Sequence, residues 1–129
     1  MTTLLLIEDD ADAARMVRKA LAHFHYDFHH AATGLEGLKL ARQVRPDIVL
    51  VDMNLPDLEG KVIVTQLHGS ILPPSSALIA FTAEDDARTR RVTRALGCDD
   101  LIGKPIDTRA FAWQISQIVE RKTGHSNHG

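Results

Sequence analysis

The sequence predicts an α/β fold, a parallel sheet with helices on both faces, and three observations carry that prediction. Short apolar runs at residues 4–7 (LLLI), 48–51 (IVLV) and 77–81 (ALIAF) contain no alternation of apolar and polar residues. Strands buried on both faces have this composition, because neither side meets water. Between the runs, apolar residues recur at spacings of three and four, the pattern of an amphipathic helix. Strands alternating with helices place the strands parallel and the helices on either side of the sheet.

The elements follow in order. After the first strand, Ala13, Val17, Ala20 or Leu21, and Phe24 form one helical stripe. Residues 27–31 are a weaker second strand. Thr33 and Glu36 have the spacing of a capping box, and Leu38, Ala41 and Val44 continue that helix until Pro46 stops it. A shorter helix is predicted at 60–68, followed by a Gly-, Pro- and Ser-rich loop at 69–76. The fourth helix begins near Glu84 and ends at Gly97, a residue suited to a left-handed cap. Residues 99–102 form the fifth strand. Asp107 is the predicted N-cap of a fifth helix that buries Phe111, Ile115 and Ile118 or Val119. These five βα units make one domain over residues 1–121. Residues 122–129 carry no apolar pattern and are expected to form a flexible C-terminal tail.

A chain of 129 residues is long enough to bury a core, and its 44% apolar and 25% charged content suits a globular domain. The formal net charge of −2 argues against direct nucleic-acid binding, which needs a strongly basic face. A single cysteine, Cys98, cannot form an internal disulfide and suits a reducing, cytoplasmic setting; it reads as a small buried residue, not a nucleophile. The N-terminus has no basic region before its apolar run, so no signal peptide is expected, and no stretch is long enough to span a membrane. Seven histidines are scattered without metal-ligand spacing, and His29 and His30 point to opposite sides of a strand.

The chemistry gathers where the strands end, which in open α/β sheets is where functional residues lie. The first strand ends in Glu8-Asp9-Asp10, the third in Asp52 with Asn54 two residues on, the fourth in Thr82-Ala83, and the fifth in Gly103-Lys104-Pro105. Helix capping explains any one acid, and Asp10 and Asp12 read as helix-start residues. It does not explain the set. Two carboxylates about 4 Å apart repel by about 4 kcal/mol at an effective dielectric of about 20. Lys104 supplies one compensating charge, and a hard divalent cation such as Mg²⁺ supplies the remainder. An aspartate, Mg²⁺, a hydroxyl and a lysine together suit phosphoryl transfer to a carboxylate.

The segments LLIED (5–9), PDIVLVDMNLP (46–56), FTA (81–83) and GCDDLIGKP (97–105) resemble the receiver domains of two-component response regulators, including the single-domain chemotaxis type, over residues 3–121. The resemblance implies a flavodoxin-like (βα)5 fold with strand order 2-1-3-4-5. It implies that Asp52 is the phosphoacceptor, and that Asp9 ligates Mg²⁺ (or Mn²⁺) directly with Asp52, Glu8 through water, and Asn54 through its backbone carbonyl. Thr82 and Lys104 would bind phosphoryl oxygens. Ala83 would give access, and the bond to Pro105 would be cis. Expected partners are a histidine kinase or histidine phosphotransfer protein and a downstream protein target. No activity on other molecules is expected beyond the domain's own phosphorylation and dephosphorylation. The start at Met1 favours an N-terminal or stand-alone receiver.

One position departs from the family: Leu101 stands where Tyr or Phe is frequent, so coupling through an aromatic switch is not expected to operate in the usual form. On the fourth helix Arg88, Arg90, Arg91 and Arg94 read first as a solvated face with Glu84–Arg88 and Asp86–Arg90 pairs. Arg91 and Trp113, which lies off its helix's apolar stripe, also mark a partner surface. Three alternatives remain at this level. A phosphoaspartyl-type hydrolase would carry its nucleophile after the first strand with a second Asp two residues on, whereas Asp52 follows the third and is followed by Asn54. A flavin-binding module would need a phosphate loop where three acids stand. A degenerate receiver serving only as a docking module would lack acceptor-site groups that are present here.

Overall fold

In the structure, a computed structural model that describes residues 1–124, the chain runs β1 (Thr2–Ile7), α1 (Ala11–Ala20), β2 (Tyr26–Ala31), α2 (Gly34–Val44), β3 (Ile48–Asp52), α3 (Gly60–Gln66), a π-helical turn (Leu67–Ile71), β4 (Ala77–Thr82), α4 (Ala87–Leu96), β5 (Asp100–Gly103) and α5 (Phe111–Thr123). The five strands are parallel in the order β2-β1-β3-β4-β5, the flavodoxin-like arrangement. Successive residues of the apolar runs go to opposite faces. Leu4, Leu6, Leu50 and Ile79 pack with Val17 and Leu21 on one face and with Phe111, Ile115 and Ile118 of α5. Leu5, Ile7, Val49, Val51, Leu78 and Ala80 pack on the other with Leu38, Ala41, Ile63, Val64 and Leu67. Both faces of the central strands are therefore dry, as continuous apolar composition requires. No helix among the described residues is long and apolar enough to cross a membrane.

Several boundaries differ from the sequence expectation, each for a local reason. In α1 the buried stripe is Ala14, Val17 and then Leu21, while Phe24 lies in the following turn and is 52% exposed. The hydrogen bond from Phe24 N–H to the Leu21 carbonyl closes that turn and carries the ring away from the helix face. The third helix does not stop at His68. It widens into the π-helical turn, closed by Leu72 N–H on the Leu67 carbonyl at 2.8 Å, which brings Ile71 and Leu72 against the same core as Leu67. Asp107 does not cap α5: its carboxylate accepts the Arg109 N–H in a turn, and α5 begins later, at Phe111. Phe111 is fully buried with its ring centroid 6.3 Å from that of Phe81, so core packing decides the start of the helix. At the other end α5 continues to Thr123, two residues into the segment expected as tail, and Lys122 pairs with Asp99 at 2.9 Å. Residues 125–129 of that expected tail lie outside the described residues.

The predicted caps of α2 and α4 form. Thr33 accepts the Glu36 N–H, while Glu36 reaches back to the Ala32 N–H. Gly97 has φ +122°, and a Cβ there would lie 2.5 Å from the His68 ring, so both backbone and neighbour require glycine. Arg45, at the C-terminus of α2, adopts φ +49° without being glycine. A left-handed conformation costs an L-residue about 1–2 kcal/mol, partly offset by glycine's greater freedom when unfolded. Arg45→Gly is accordingly expected to raise stability by about 0.5–1 kcal/mol, read as a higher denaturant midpoint at unchanged slope.

Candidate functional site

Parallel register places the strand ends at one rim. Ile7 is the partner of Val51, and Asp52 of Phe81, so Glu8 follows β1 beside the level of Asp52. Thr82 is the partner of Gly103, and the Lys104 N–H donates to the Thr82 carbonyl at 2.8 Å. Four elements thus deliver Glu8, Asp52, Thr82 and Lys104 to the same end of the sheet. Glu8, Asp52 and Thr82 are buried, whereas Asp9 is exposed at the mouth. Carboxylate oxygens of Glu8, Asp9 and Asp52 lie within 4.8 Å of one another.

Lys104 bridges the acids. Its Nζ donates to Glu8 Oε1 at 2.7 Å and stands 3.5 Å from Asp52 Oδ1, over the Phe81 ring at 5.0 Å. Burial opposes the ammonium charge, but the hydrogen bond to Glu8 and the charge of Asp52 hold Lys104 above its ordinary pKa. Burial and the hydrogen bond shared with Asp52 push Glu8 up to about 7. Burial also works against ionised Asp52, yet the hydrogen bond from Glu8, the Asn54 N–H and Lys104 outweigh it and keep this carboxyl below its ordinary value. One carboxylate stays charged while its neighbour retains a proton near neutrality. That asymmetry suits a nucleophile at Asp52.

The remaining residues fall into place around this centre. Asp10 caps α1, accepting the Asp12 N–H at 3.0 Å, and Asp12 pairs with Arg15 at the surface, so neither joins the acidic cluster. Asn54 donates its N–H to Asp52 Oδ1 at 2.9 Å. The Thr82 hydroxyl accepts the Glu84 N–H, and Ala83 is exposed beside it. The Lys104–Pro105 bond is cis. Leu101 is buried in the core beneath α4. Burial pushes the Cys98 thiol up to about 12, consistent with an inert packed residue.

Neither expected i,i+4 pair on α4 forms among the described residues. Arg90 instead binds Asp85 at 2.6 Å and Asp100 at 3.3 Å, while Asp86 caps the helix by accepting the Thr89 N–H. Asp100 also receives Arg121 at 2.6 Å, so β5 draws cations from both α4 and α5. A groove of about 310 Å³ between β5 and α5 is lined by Arg90, Asp100, Trp113, Gln114 and Arg121; Trp113 is 64% exposed. Arg91 is exposed on α4 but does not line that groove. Sequence reasoning missed Phe81 beneath Lys104, and also Asp57, whose two oxygens accept the Gly34 and Leu35 N–H groups at 2.9 and 3.0 Å. It also missed His30, whose Nε2 donates to the Glu8 carbonyl at 2.8 Å.

The oxygen-only donor set and its spacing fit a hard divalent cation, since ligand oxygens of Mg²⁺ lie about 2 Å from the ion and about 4 Å apart across it. Glu8, with its pKa raised to about 7, would have to ionise to hold such a cation. Mg²⁺ affinity is therefore expected to rise with pH and level off above about 7, falling by up to about tenfold per unit below it. Calorimetric titration at pH 6 in buffers of different ionisation enthalpy checks this; close to one proton should be released there and little at pH 8.

Residues 4–116 match the family described as the response regulator receiver domain. The chain is 30% identical over 122 residues to the response regulator ArlR of Staphylococcus saprophyticus, covering 95% of this chain and 54% of that protein. It is 30% identical over 123 residues to the transcriptional regulatory protein KdpE of Mycobacterium tuberculosis, covering 95% of this chain and 53% of that one. The chain spans about half the length of these curated relatives. Among solved structures, the chemotaxis response regulator CheY4 of Vibrio cholerae superposes with a TM-score of 0.85 at 22% identity, covering 92% of this chain and 98% of that one, a likeness of fold.

Proposed function

The chain belongs to the response regulator receiver domain family, and from that premise we propose that Asp52 is its phosphoacceptor, fed by a phosphohistidine on a histidine kinase or histidine phosphotransfer protein. The observation that carries this reading is the buried Asp52 carboxylate, grouped with Glu8 and Asp9 within 4.8 Å and faced by Lys104 at 3.5 Å. An Asp52 oxygen forms the new O–P bond as the donor's P–N bond breaks, and the electron pair leaves on the imidazole. Glu8, Asp9, Asp52 and the Asn54 carbonyl would hold Mg²⁺ or Mn²⁺, which neutralises charge on the phosphoryl oxygens when bound. Lys104 neutralises another oxygen, and Thr82, one strand over, donates its hydroxyl to a third. The exposed, small Ala83 leaves the donor room to approach.

Output is proposed to pass through the α4–β5–α5 face. Its support is the groove around Trp113, Arg90 and Arg121, with Arg91 exposed elsewhere on α4. With Leu101 a buried aliphatic residue, the route open from Thr82 to α4 is its hydrogen bond to the Glu84 N–H and the β4–α4 loop, so a Thr82 hydroxyl drawn to the phosphoryl group would act there and not through an aromatic side chain. The proposed kinase donor, drawing on ATP, suits a cytoplasmic setting for the chain. The experiment is incubation with acetyl phosphate. Intact mass should rise by one phosphoryl group with Mg²⁺ and not with EDTA; no gain under Mg²⁺ would overturn the assignment.

A further inference from the structure

We propose that Asp57 is a positioning residue for the acceptor site: it locks the β3–α3 loop, and with it the Asn54 carbonyl, onto α2. The proposal rests on the receiver reading above and concerns a residue outside the pocket. Residues 53–59 leave the end of β3 and must hold Asn54 over the acids. Their start is tied by Met53 N–H to the Phe81 carbonyl at 3.3 Å and by Asn54 N–H to Asp52. Their end is tied where the Glu59 carbonyl accepts the Val62 and Ile63 N–H groups. Between these anchors Pro56 has no N–H to give, and Asp57 makes the side-chain hydrogen bonds of the loop.

Those bonds are well matched to their partner. The first turn of a helix carries N–H groups with no intrahelical acceptor. Thr33 serves the Glu36 N–H, and Asp57 takes those of Gly34 and Leu35, one on each oxygen. These N–H groups hold the Asp57 carboxyl below its ordinary pKa, so the clamp is anionic at any working pH. Contact is close as well as polar: a Cβ on Gly34 would lie 3.2 Å from Asp57 Oδ1 and from Leu58 Cβ. On the same face one turn along, α2 is seated on β1, where a Cβ on Gly37 would come within 2.6 Å of the Ile7 side chain. Ile7 immediately precedes Glu8 and Asp9. Through α2, Asp57 thereby references the Asn54 loop to the same strand end that supplies the two other acids. A loop held in place beforehand loses less entropy when its carbonyl engages a cation.

The test compares the full chain with Asp57→Ala and Asp57→Asn by calorimetric Mg²⁺ titration and by amide hydrogen exchange without metal. Supporting residues around metal sites typically change affinity by 10–100-fold, and a residue acting through backbone belongs at the low end. Asp57→Ala should bind Mg²⁺ about tenfold more weakly, with faster exchange at Gly34, Leu35 and Asn54. Asp57→Asn, which keeps one acceptor oxygen, should recover part of both and serves as the informative variant if the alanine form does not fold. Faster exchange at Gly34 and Leu35 with unchanged Mg²⁺ affinity would make Asp57 a helix cap only and overturn the proposal. Failure of the unaltered chain to bind Mg²⁺ would instead overturn the receiver reading beneath it.

Discussion

Asp52→Asn should gain no phosphoryl mass from acetyl phosphate, yet should remain folded and at least as stable as the unaltered chain without Mg²⁺. The amide is nearly isosteric and can still accept the Asn54 N–H that Asp52 Oδ1 receives at 2.9 Å. It has no anionic oxygen to attack phosphorus, so the loss of uptake should be complete within detection. Stability moves the other way, because the substitution removes one of two buried carboxylates that face a single ammonium. With that neighbour neutral, Glu8 loses a cause of its elevation to about 7 and pairs with Lys104 alone. Intact mass spectrometry and a thermal melt on the same sample separate the outcomes. Retained uptake would move the acceptor away from Asp52; lost uptake with a collapsed melt would show disruption of the fold instead of loss of the nucleophile.

Lys104→Ala should slow phosphoryl uptake by about 10²–10³-fold, the usual effect of removing one oriented donor to developing negative charge. Its effect on stability should depend on pH in a stated direction. Truncating one partner of a fully buried pair costs about 3–5 kcal/mol, and solvent around the partly exposed Lys104 ammonium reduces this to about 1–2 kcal/mol. Glu8 and Asp52 are the partners left behind, and of the two it is Glu8 whose charge changes near neutrality. Its folded pKa is raised, so the folded state holds a proton that the unfolded state has lost between about 4.5 and about 7. Stability without metal therefore falls as pH rises through that window, and the missing ammonium is felt above it, where Glu8 must carry charge. Melts should show the variant below the unaltered chain at both pH 5.5 and pH 8, since Asp52 is ionised at each, with the larger gap at pH 8, where Glu8 charges as well. Mg²⁺ should restore part of the loss at pH 8. A variant that took up phosphoryl at the unaltered rate would remove Lys104 from the reacting centre.

Much of the candidate site was legible before any fold was known, because Glu8, Asp52 and Thr82 each directly follow an apolar run that has to be a strand, and Lys104 follows the weaker fifth strand by two residues. Glu8, Asp52, Thr82 and Lys104 needed only the rule that strand ends of a parallel sheet share a rim. The stretch Glu8-Asp9-Asp10 was harder. Three consecutive acids are equivalent by composition; Asp10 already read as a helix-start residue, and the turn into α1 makes it the cap and leaves Asp9 at the pocket mouth. The cap assigned to Asp107 fails for a related reason. Aspartate favours helix starts locally, but the burial of Phe111 against Phe81 set where α5 could begin.

By itself the sequence determined the strands, their parallel order of burial and the chemistry at their ends, since continuous apolar composition and adjacency along the chain carry that information. Tertiary structure alone decided the partners of side chains that meet across many residues: Asp57 with the start of α2, Arg121 with Asp100, and Lys104 between Glu8 and Asp52. Charge and hydrogen bonding act over a few ångströms of space, and residues close in space are settled only when the sheet and its helices have packed.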